Sequence, residues 1–149
     1  MQRINPHGDW EISLPEEVLR HGQVYKLKVY WHGGSGERIP AWADRVVQDP
    51  QTAIFSAQIW HPAHPYVFRH QFTPTRSPLY IYECHVGMAQ DKKGVGTYEE
   101  FRTLVLPRIV KAGYNCIQIM AIQEHPYYGS FGYHVSSFFA PSSRFGTPD

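Results

Sequence analysis

Carboxylate, imidazole and amide side chains fall at matching places in two apolar runs of the second half of the sequence. Glu83 and His85 alternate near the end of the run Leu79–Val86, and Gln118 interrupts the run Asn115–Ile122. If both runs are strands, Glu83 and His85 share a face, because side chains two apart on a strand point the same way. A buried carboxylate without a partner is costly. We therefore predict that these three side chains converge on one hydrogen-bonded network in the interior.

Two other patterns resemble ligand sites, but neither has the spacing that the chemistry needs. His61 and His64 suggest a metal pair, yet a proline lies between them and no third ligand is near in the sequence. Gly94–Gly96 is too short for a phosphate loop, and Gly33–Gly36 follows a strand without opening a helix. We therefore predict no metal site and no cofactor.

The composition excludes several classes of partner. The 149 residues carry a formal net charge of +1 and 18% are charged, which argues against nucleic acid and against an anionic membrane surface. No apolar run approaches the roughly 18 residues of a membrane span, and the N-terminus lacks the pattern of a signal peptide. Aromatic residues make up 15% of the chain. Such rings suit ligands with apolar faces, such as sugars, although most are expected in the core.

The first half, residues 1–72, is predicted to be β-structure. Three runs alternate with a period of two, at 9–14, 23–31 and 53–60, and a turn is predicted at 32–36. These strands are expected to form half of a sandwich. Prolines at 62, 65, 74 and 78 mark an extended connector, so we place the domain boundary at a linker over residues 73–78.

The second half, residues 79–149, follows a strand, helix, strand pattern. Thr97 and Glu100 form a capping box, which predicts the start of the helix. An apolar stripe predicts the helix face that packs on a sheet; it consists of Phe101, Leu104, Val105 and Ile109. Pro107 predicts a kink or restart, and Gly113 predicts the helix end. A helix that joins two apolar strands predicts that the strands are parallel.

Several motifs in this half occur in a fixed order. They are Tyr82–Gly87, Leu106–Ile109 with Gly113–Asn115, Ile117–Ile122 with Glu124-His125, and Gly129–Tyr133 followed by Ser143–Pro148. Together they resemble the α-1,4-glucan branching enzymes of the α-amylase superfamily, glycoside hydrolase family 13. The first half is similar to the C-terminal part of the carbohydrate-binding sandwich that precedes the barrel in that family. The resemblance implies a mixed fold, a partial Ig-like β-sandwich over 1–72 followed by the first β-α-β unit of a TIM (α/β)8 barrel over 79–149.

The resemblance also implies a transglycosylase. The family cleaves an α-1,4 linkage with retention, holds the severed glucan on an Asp nucleophile and transfers it to a 6-hydroxyl, which makes an α-1,6 branch. Retention needs two carboxyl groups about 5 to 5.5 Å apart, and in the family both lie on later strands. Glu83, Glu124 and Asp149 match none of those motifs. No catalytic residue is therefore predicted here, and the chain alone is expected to be inactive.

Four substrate-binding residues are implied by the same resemblance. Gly132 and Tyr133 match the Gly-Tyr pair after the second barrel strand, where the tyrosine stacks on the sugar at the bond that is cleaved. Phe131 is expected to orient Tyr133. His125 lies at the end of the strand and is expected either to bind a sugar hydroxyl or to be a structural histidine. The implied partner is an α-glucan such as glycogen, amylose or amylopectin.

The resemblance suggests a second glucan contact in the first half. The Gly8-Asp9 corner and Lys28 match positions that touch glucan in the sandwich of some branching enzymes, with a solvated surface lysine as the alternative. Cys84 and Cys116 fall in the two strands of the second half, where they could lie close. We expect both to be reduced thiols, which favours the cytoplasm, and we expect the parent enzyme to be a monomer.

Two alternatives stay open. The chain could belong to a debranching or amylase-type hydrolase of the same family, or it could be a non-catalytic carbohydrate-binding module. The strand, helix, strand half argues against a module, which has no use for it. The last residues, Gly146–Asp149, have the order of a helix start, with Thr147 as the cap and Pro148 in the first turn. This pattern predicts a truncated piece of a longer enzyme.

Overall fold

The computed structural model describes residues 1–72 and 78–149, which contain eleven strands, one interrupted helix and three 3₁₀ helices at Glu16–Val18, Val86–Met88 and Tyr128–Ser130. The strands are β1 (Gln2–Arg3), β2 (Trp10–Glu11), β3 (Val24–Tyr25), β4 (Leu27–Trp31), β5 (Gly34–Arg38), β6 (Val46–Gln48), β7 (Phe55–Gln58), β8 (Ile81–His85), β9 (Cys116–Met120), β10 (Gln123–Glu124) and β11 (Ser137–Pro141). The helix consists of α1 (Tyr98–Glu100), a π-helical segment (Phe101–Val105) and α2 (Leu106–Lys111).

The first half contains small antiparallel sheets, as its alternating pattern predicted. β1 pairs with β2, β4 pairs with β5, and β3, β7 and β6 form a three-stranded sheet in that order. The predicted strands are shorter than expected, and the run 23–31 is divided at Lys26 between β3 and β4. The predicted linker 73–78 lies outside the described residues, apart from Pro78.

The glycine-rich segment at 32–36 is a turn only in part. Trp31 pairs with Gly34, so His32 and Gly33 alone connect β4 to β5, and the rest of the predicted turn is strand. A Cβ on Gly36 would lie 3.1 Å from the Trp31 ring. The later glycine therefore makes room for an indole ring instead of bending the chain.

The second half contains a parallel strand pair joined by the helix, as predicted. β8 and β9 pair from Ile81 with Cys116 to His85 with Met120. The capping box is confirmed, since Glu100 N donates to Thr97 Oγ1 at 3.1 Å and Thr97 N donates to Glu100 Oε2 at 3.0 Å. The restart at Pro107 is confirmed as well. Leu106 N donates to Phe101 O, and the helix resumes with the proline in its first turn, where no amide hydrogen is needed.

One member of the predicted helix stripe is wrong. Phe101, Val105 and Ile109 are buried against β8 residues and Phe145, whereas Leu104 is 53% exposed. A π-helical turn contains more residues than an α-helical turn, so the α-helical spacing of three no longer returns to the same face. The irregularity that accommodates the proline therefore turns Leu104 outward.

The predicted network of Glu83, His85 and Gln118 is also wrong. Glu83 pairs with Gln118 in register, but both are exposed and neither side chain makes a hydrogen bond among the described residues. In the part of the chain that the structure describes, the parallel sheet has only two strands, and no element covers the face that Glu83 and Gln118 share. His85 is buried, because aromatic rings of later loops cover that end of β8.

The two cysteines do not lie close. Cys84 is opposite Ile119 and Cys116 is opposite Ile81, which separates them by three positions along the paired strands. That separation is about 10 Å, beyond the reach of a disulfide, and both thiols are free.

The end of the second half contacts the three-stranded sheet of the first. Ala140 of β11 is buried with Ala43, Val46 and Ala57. Residues 146–149 have no regular structure. Among residues 1–72 and 78–149, no helix is long and apolar enough to cross a membrane.

Candidate functional site

The candidate site lies on the loop between β10 and β11, beyond the carboxyl end of β9. β9 ends at Met120, and β10 and β11 pair antiparallel with an irregular register. The loop that joins them carries His125, Phe131, Gly132 and Tyr133. Ligands bind at the carboxyl ends of parallel strands in α/β folds. The loop therefore places the predicted site residues at the end of the strand pair where a ligand is expected.

Gly132 fixes the shape of this loop. It has a φ of +83°, and a Cβ there would lie 2.2 Å from Ala121 Cβ and 2.5 Å from Ala121 Cα. Ala121 follows β9 directly and has a φ of +57°. Only glycine fits this position, because it tolerates the left-handed backbone and adds no atom at the contact. The loop is thus pressed onto the end of β9 just before Tyr133.

Tyr133 presents its ring to solvent. Its side chain is 76% exposed, and its backbone N donates to Ser130 O at 3.0 Å. The phenol ring can therefore stack on an apolar face of a ligand. Phe131, predicted to orient it, has a φ of +52° and directs its ring edge-to-face at His85, with 6.5 Å between the ring centroids. An influence of Phe131 on Tyr133 would pass through the backbone that they share.

His125 lies under the loop and is fully buried. Its Nδ1 is 3.0 Å from Gln123 O, and its Nε2 has no hydrogen-bond partner among the described residues. The ring packs near Phe145, with 6.1 Å between centroids. This burial favours the structural alternative for His125, since the imidazole does not reach the surface where Tyr133 lies.

His85 joins the same buried cluster from β8. Its ring centroid is 5.7 Å from that of Phe145 and 6.1 Å from that of Tyr128. Burial lowers the pKa of His85, and the nearby His125 lowers it further. The imidazole is therefore held in its neutral form beneath the loop.

Sequence reasoning missed Glu124. The structure buries it completely, and its carboxylate accepts hydrogen bonds from the backbone amides of His125 and Ser143. Glu83 lies in a strand too, yet it is exposed. Nothing in the sequence distinguishes the two, because β11 and the turn after it cover Glu124.

The residues predicted to bind glucan in the first half lie on two strand pairs, β1 with β2 and β4 with β5. Gly8, with a φ of +101°, occupies the turn between β1 and β2, and Asp9 is hydrogen-bonded there to Asn5. Lys28 is exposed on β4 and lines a cleft of about 600 Å³ with Trp10, the residue after Asp9. Gly8 and Asp9 do not line that cleft themselves.

No group of three or more His, Cys, Asp or Glu side chains suited to a metal occurs in residues 1–72 and 78–149, which include His61 and His64.

Known proteins match this chain over nearly its whole length. A 1,4-alpha-glucan-branching enzyme of Dictyostelium discoideum is 44% identical to it over 100% of the chain. The 1,4-alpha-glucan-branching enzyme 2-2 of Arabidopsis thaliana, chloroplastic/amyloplastic, is 47% identical over 97%, and that of Felis catus is 43% identical over 96%. The chain belongs to the family of the 1,4-alpha-glucan-branching enzymes.

The match covers a minor part of each branching enzyme. The chain spans 23% of the Dictyostelium protein, 19% of the Arabidopsis protein and 21% of the cat protein. No family model matches the chain. The membership therefore rests on pairwise identity to a segment of these branching enzymes.

Proposed function

We propose that this chain serves as a segment of a glucan branching enzyme, a retaining transglycosylase that cleaves α-1,4 linkages and makes α-1,6 branches. The observation that carries the proposal is identity of 43–47% to branching enzymes over 96–100% of the chain. The catalytic carboxylates come from outside this segment, because Glu83, Glu124 and Asp149 match none of the family motifs that carry them, and Glu124 is committed to backbone amides.

In this proposal the two halves have different roles. Residues 1–72 are the C-terminal part of a carbohydrate-binding β-sandwich, 73–78 are a linker, and 79–149 begin a catalytic (α/β)8 barrel. The parallel pairing of β8 with β9 across a helix supports the second assignment. Parallel strands occur almost only in sheets covered on both faces, and the exposed face of Glu83 and Gln118 is the one that further strands would cover.

Tyr133 supplies the sugar contact. Its exposed ring can lie under a pyranose and cover the C–H face of the sugar. The sugar ring flattens in the transition state, and any stacking energy gained at that point would lower the activation free energy of cleavage. Gly132 makes the required backbone turn, and Phe131 and His125 support the loop from below. The ligand is an α-glucan chain. Gly8, Asp9 and Lys28 would hold a second stretch of glucan on the first half.

The test is a segment exchange. This chain replaces the matching segment of the Dictyostelium enzyme, and new α-1,6 linkages on amylose are counted by proton NMR. We expect the chimera to branch amylose. We expect Tyr133→Ala in the chimera to cut kcat about tenfold, since each ~1.4 kcal/mol lost from transition-state binding is tenfold. Tyr133→Phe should be milder because it keeps the ring.

Tyr66→Ala serves as the matched control, because Tyr66 is also an exposed tyrosine and lies outside the candidate site. It should leave kcat within twofold of the chimera. A folded chimera that makes no branches, or a Tyr133→Ala variant that keeps full kcat, would contradict the proposal. Hydrolysis without transfer would favour the amylase-type alternative, which no observation favours now.

We propose the cytoplasm as the compartment and a monomer as the state of the whole enzyme. The two free thiols support a reducing compartment. The Arabidopsis relative carries a chloroplastic/amyloplastic name, so a plastid is the compartment to test against, by imaging a tagged protein.

A further inference from the structure

Glu124 is a fully buried acid that the proposed chemistry does not use. Its two carboxylate oxygens accept hydrogen bonds from separate backbone amides, Oε1 from His125 N at 3.2 Å and Oε2 from Ser143 N at 2.6 Å. Among the described residues it forms no ion pair. A buried carboxylate without hydrogen-bond partners would be strongly unfavourable. The carboxylate of Glu124 therefore restrains the two backbone segments whose amides it binds, at His125 and at Ser143.

The backbone of Glu124 holds the far end of the same loop. Its carbonyl oxygen accepts from Ser136 N at 2.9 Å and from Ser136 Oγ at 3.1 Å. Ser136 is three residues after Tyr133, and His125 is the first residue of the loop. One residue thus ties the two ends of the Tyr133 loop to each other and to the turn at Ser143.

The strand pairing does not provide this restraint. Gln123 pairs with Pro141 and Glu124 with Ser137, so one step along β10 corresponds to four along β11. A regular ladder would fix the loop ends through repeated backbone bonds, but this pairing is interrupted at the position where the loop begins. The side chain of Glu124 spans the interruption.

Arg45 of the first half contacts the chain just after the turn at Ser143. Arg45 donates to Gly146 O at 3.0 Å. Burial lowers the pKa of Arg45, while the negative charge of Glu124 opposes that change. Tyr98 donates its hydroxyl to Ser142 O at 3.1 Å, next to the amide that Glu124 binds.

We propose that Glu124 is a positioning residue for Tyr133, which holds the loop in the shape that presents the ring to the glucan. The expected effect of Glu124 on catalysis rests on the proposed function, in which Tyr133 binds the glucan. The structural part of the inference, the restraint of the loop by the carboxylate, stands on the hydrogen bonds alone.

The structural part is tested on the 149-residue chain by amide hydrogen exchange. Glu124→Gln keeps the size of the side chain but offers one acceptor oxygen, so at least one of the two amides must face an NH2 group. We expect protection of the His125 or Ser143 amide to fall about tenfold or more, since a hydrogen bond to a charged group is lost. Amides in β9 should keep their protection.

Glu17→Gln is the matched control, since Glu17 is exposed and its side chain makes no hydrogen bond among the described residues. It should change none of these rates. Unchanged protection of both loop amides in Glu124→Gln would overturn the proposal. A uniform loss of amide protection that includes β9 would overturn the proposal too, because Glu124 would then support the whole fold and not this loop.

The catalytic part is tested by a double-mutant cycle in the chimera. We expect Glu124→Gln to lower kcat about tenfold and to change KM less than about threefold. If Glu124 acts through Tyr133, the same substitution should have almost no further effect in the Tyr133→Ala background. Additive losses would show that Glu124 acts elsewhere and would overturn the proposal. If Tyr133→Ala alone keeps full kcat, the proposed substrate role of Tyr133 fails. The amide hydrogen exchange experiment still decides whether Glu124 fixes the loop.

Discussion

At the scale of single residues, the shape of the candidate site depends on a contact between Gly132 and Ala121. Both have positive φ, and the two backbones touch where β9 ends. The sequence offers Gly132 as part of a Gly-Tyr pair but gives no sign that Ala121 takes the left-handed conformation. The contact follows from how the loop folds back.

We predict that Gly132→Ala destabilises the chain more than a glycine substitution that adds backbone strain alone. Gly94 has a φ of +103° and no atom within 4 Å of a new Cβ, so Gly94→Ala should cost about 1 kcal/mol. Gly132→Ala should cost roughly 1 to 3 kcal/mol more, because its Cβ also collides with Ala121. Urea unfolding followed by circular dichroism measures both. Equal losses would mean that the loop relaxes away from β9.

At the scale of elements, the helix in the second half starts at the capping box of Thr97 and Glu100 and restarts at Pro107. Glu100 accepts hydrogen bonds from Lys92, Gln90 and Thr97, which hold its pKa at about 2, below the usual 4.5. A depressed carboxyl pKa stabilises the folded state above the unfolded pKa, and this contribution is lost as the pH falls toward the folded value.

We therefore predict that the helix start weakens on acidification between about pH 5 and pH 2. The difference in unfolding free energy between the wild-type chain and Glu100→Gln should be largest at neutral pH and should vanish toward pH 2. Unfolding curves at constant ionic strength would measure it. Lys92→Ala should reduce the part of this free-energy difference that changes with pH, because Lys92 makes the largest contribution to the lowered pKa of Glu100. A difference that is constant with pH would refute this account.

At the scale of the whole molecule, Arg45 links the first half to the end of the second. Its guanidinium donates to Gln58 Oε1 at 2.9 Å and to Gly146 O at 3.0 Å, and it lies over the Trp60 ring at 4.7 Å. A planar guanidinium can serve both acceptors at once, whereas an ammonium cannot hold the same geometry.

We predict that Arg45→Ala lowers the unfolding free energy by about 1 to 3 kcal/mol, and that Arg45→Lys lowers it by nearly as much. Arg38→Ala is the control. Arg38 also lies over a tryptophan, Trp31, at 5.3 Å, but within residues 1–72 and 78–149 its side chain bonds only the carbonyl of its neighbour Glu37. It should cost less than about 1 kcal/mol. Equal effects of the two substitutions would mean that the contact with Gly146 adds nothing.

We also predict that the purified 149-residue chain has no branching activity of its own. Retention needs two carboxyl groups about 5 to 5.5 Å apart, and Glu83, Glu124 and Asp149 match none of the motifs that supply them in the family. Amylose incubated with the chain should keep its iodine colour and gain no α-1,6 linkages, whereas the chimera should produce them. New branches from the chain alone would contradict the prediction.

Features that depend on near neighbours in the chain were predictable from the sequence. The capping box at Thr97, the restart at Pro107 and the parallel strand pair follow from backbone bonding and from periodicity within a few residues. The order of the motifs was sufficient to indicate the family. These inferences succeeded because the groups that decide them are close in sequence.

Only the tertiary structure decided which of two similar residues is buried. Glu83 and Glu124 both lie in strands, yet one is exposed and the other has no exposed surface. The difference comes from residues 137–143, which pack over Glu124, while no strand among residues 1–72 and 78–149 covers Glu83. The burial of His125 has the same origin, since the environment of a side chain is set by elements distant in sequence that periodicity does not encode.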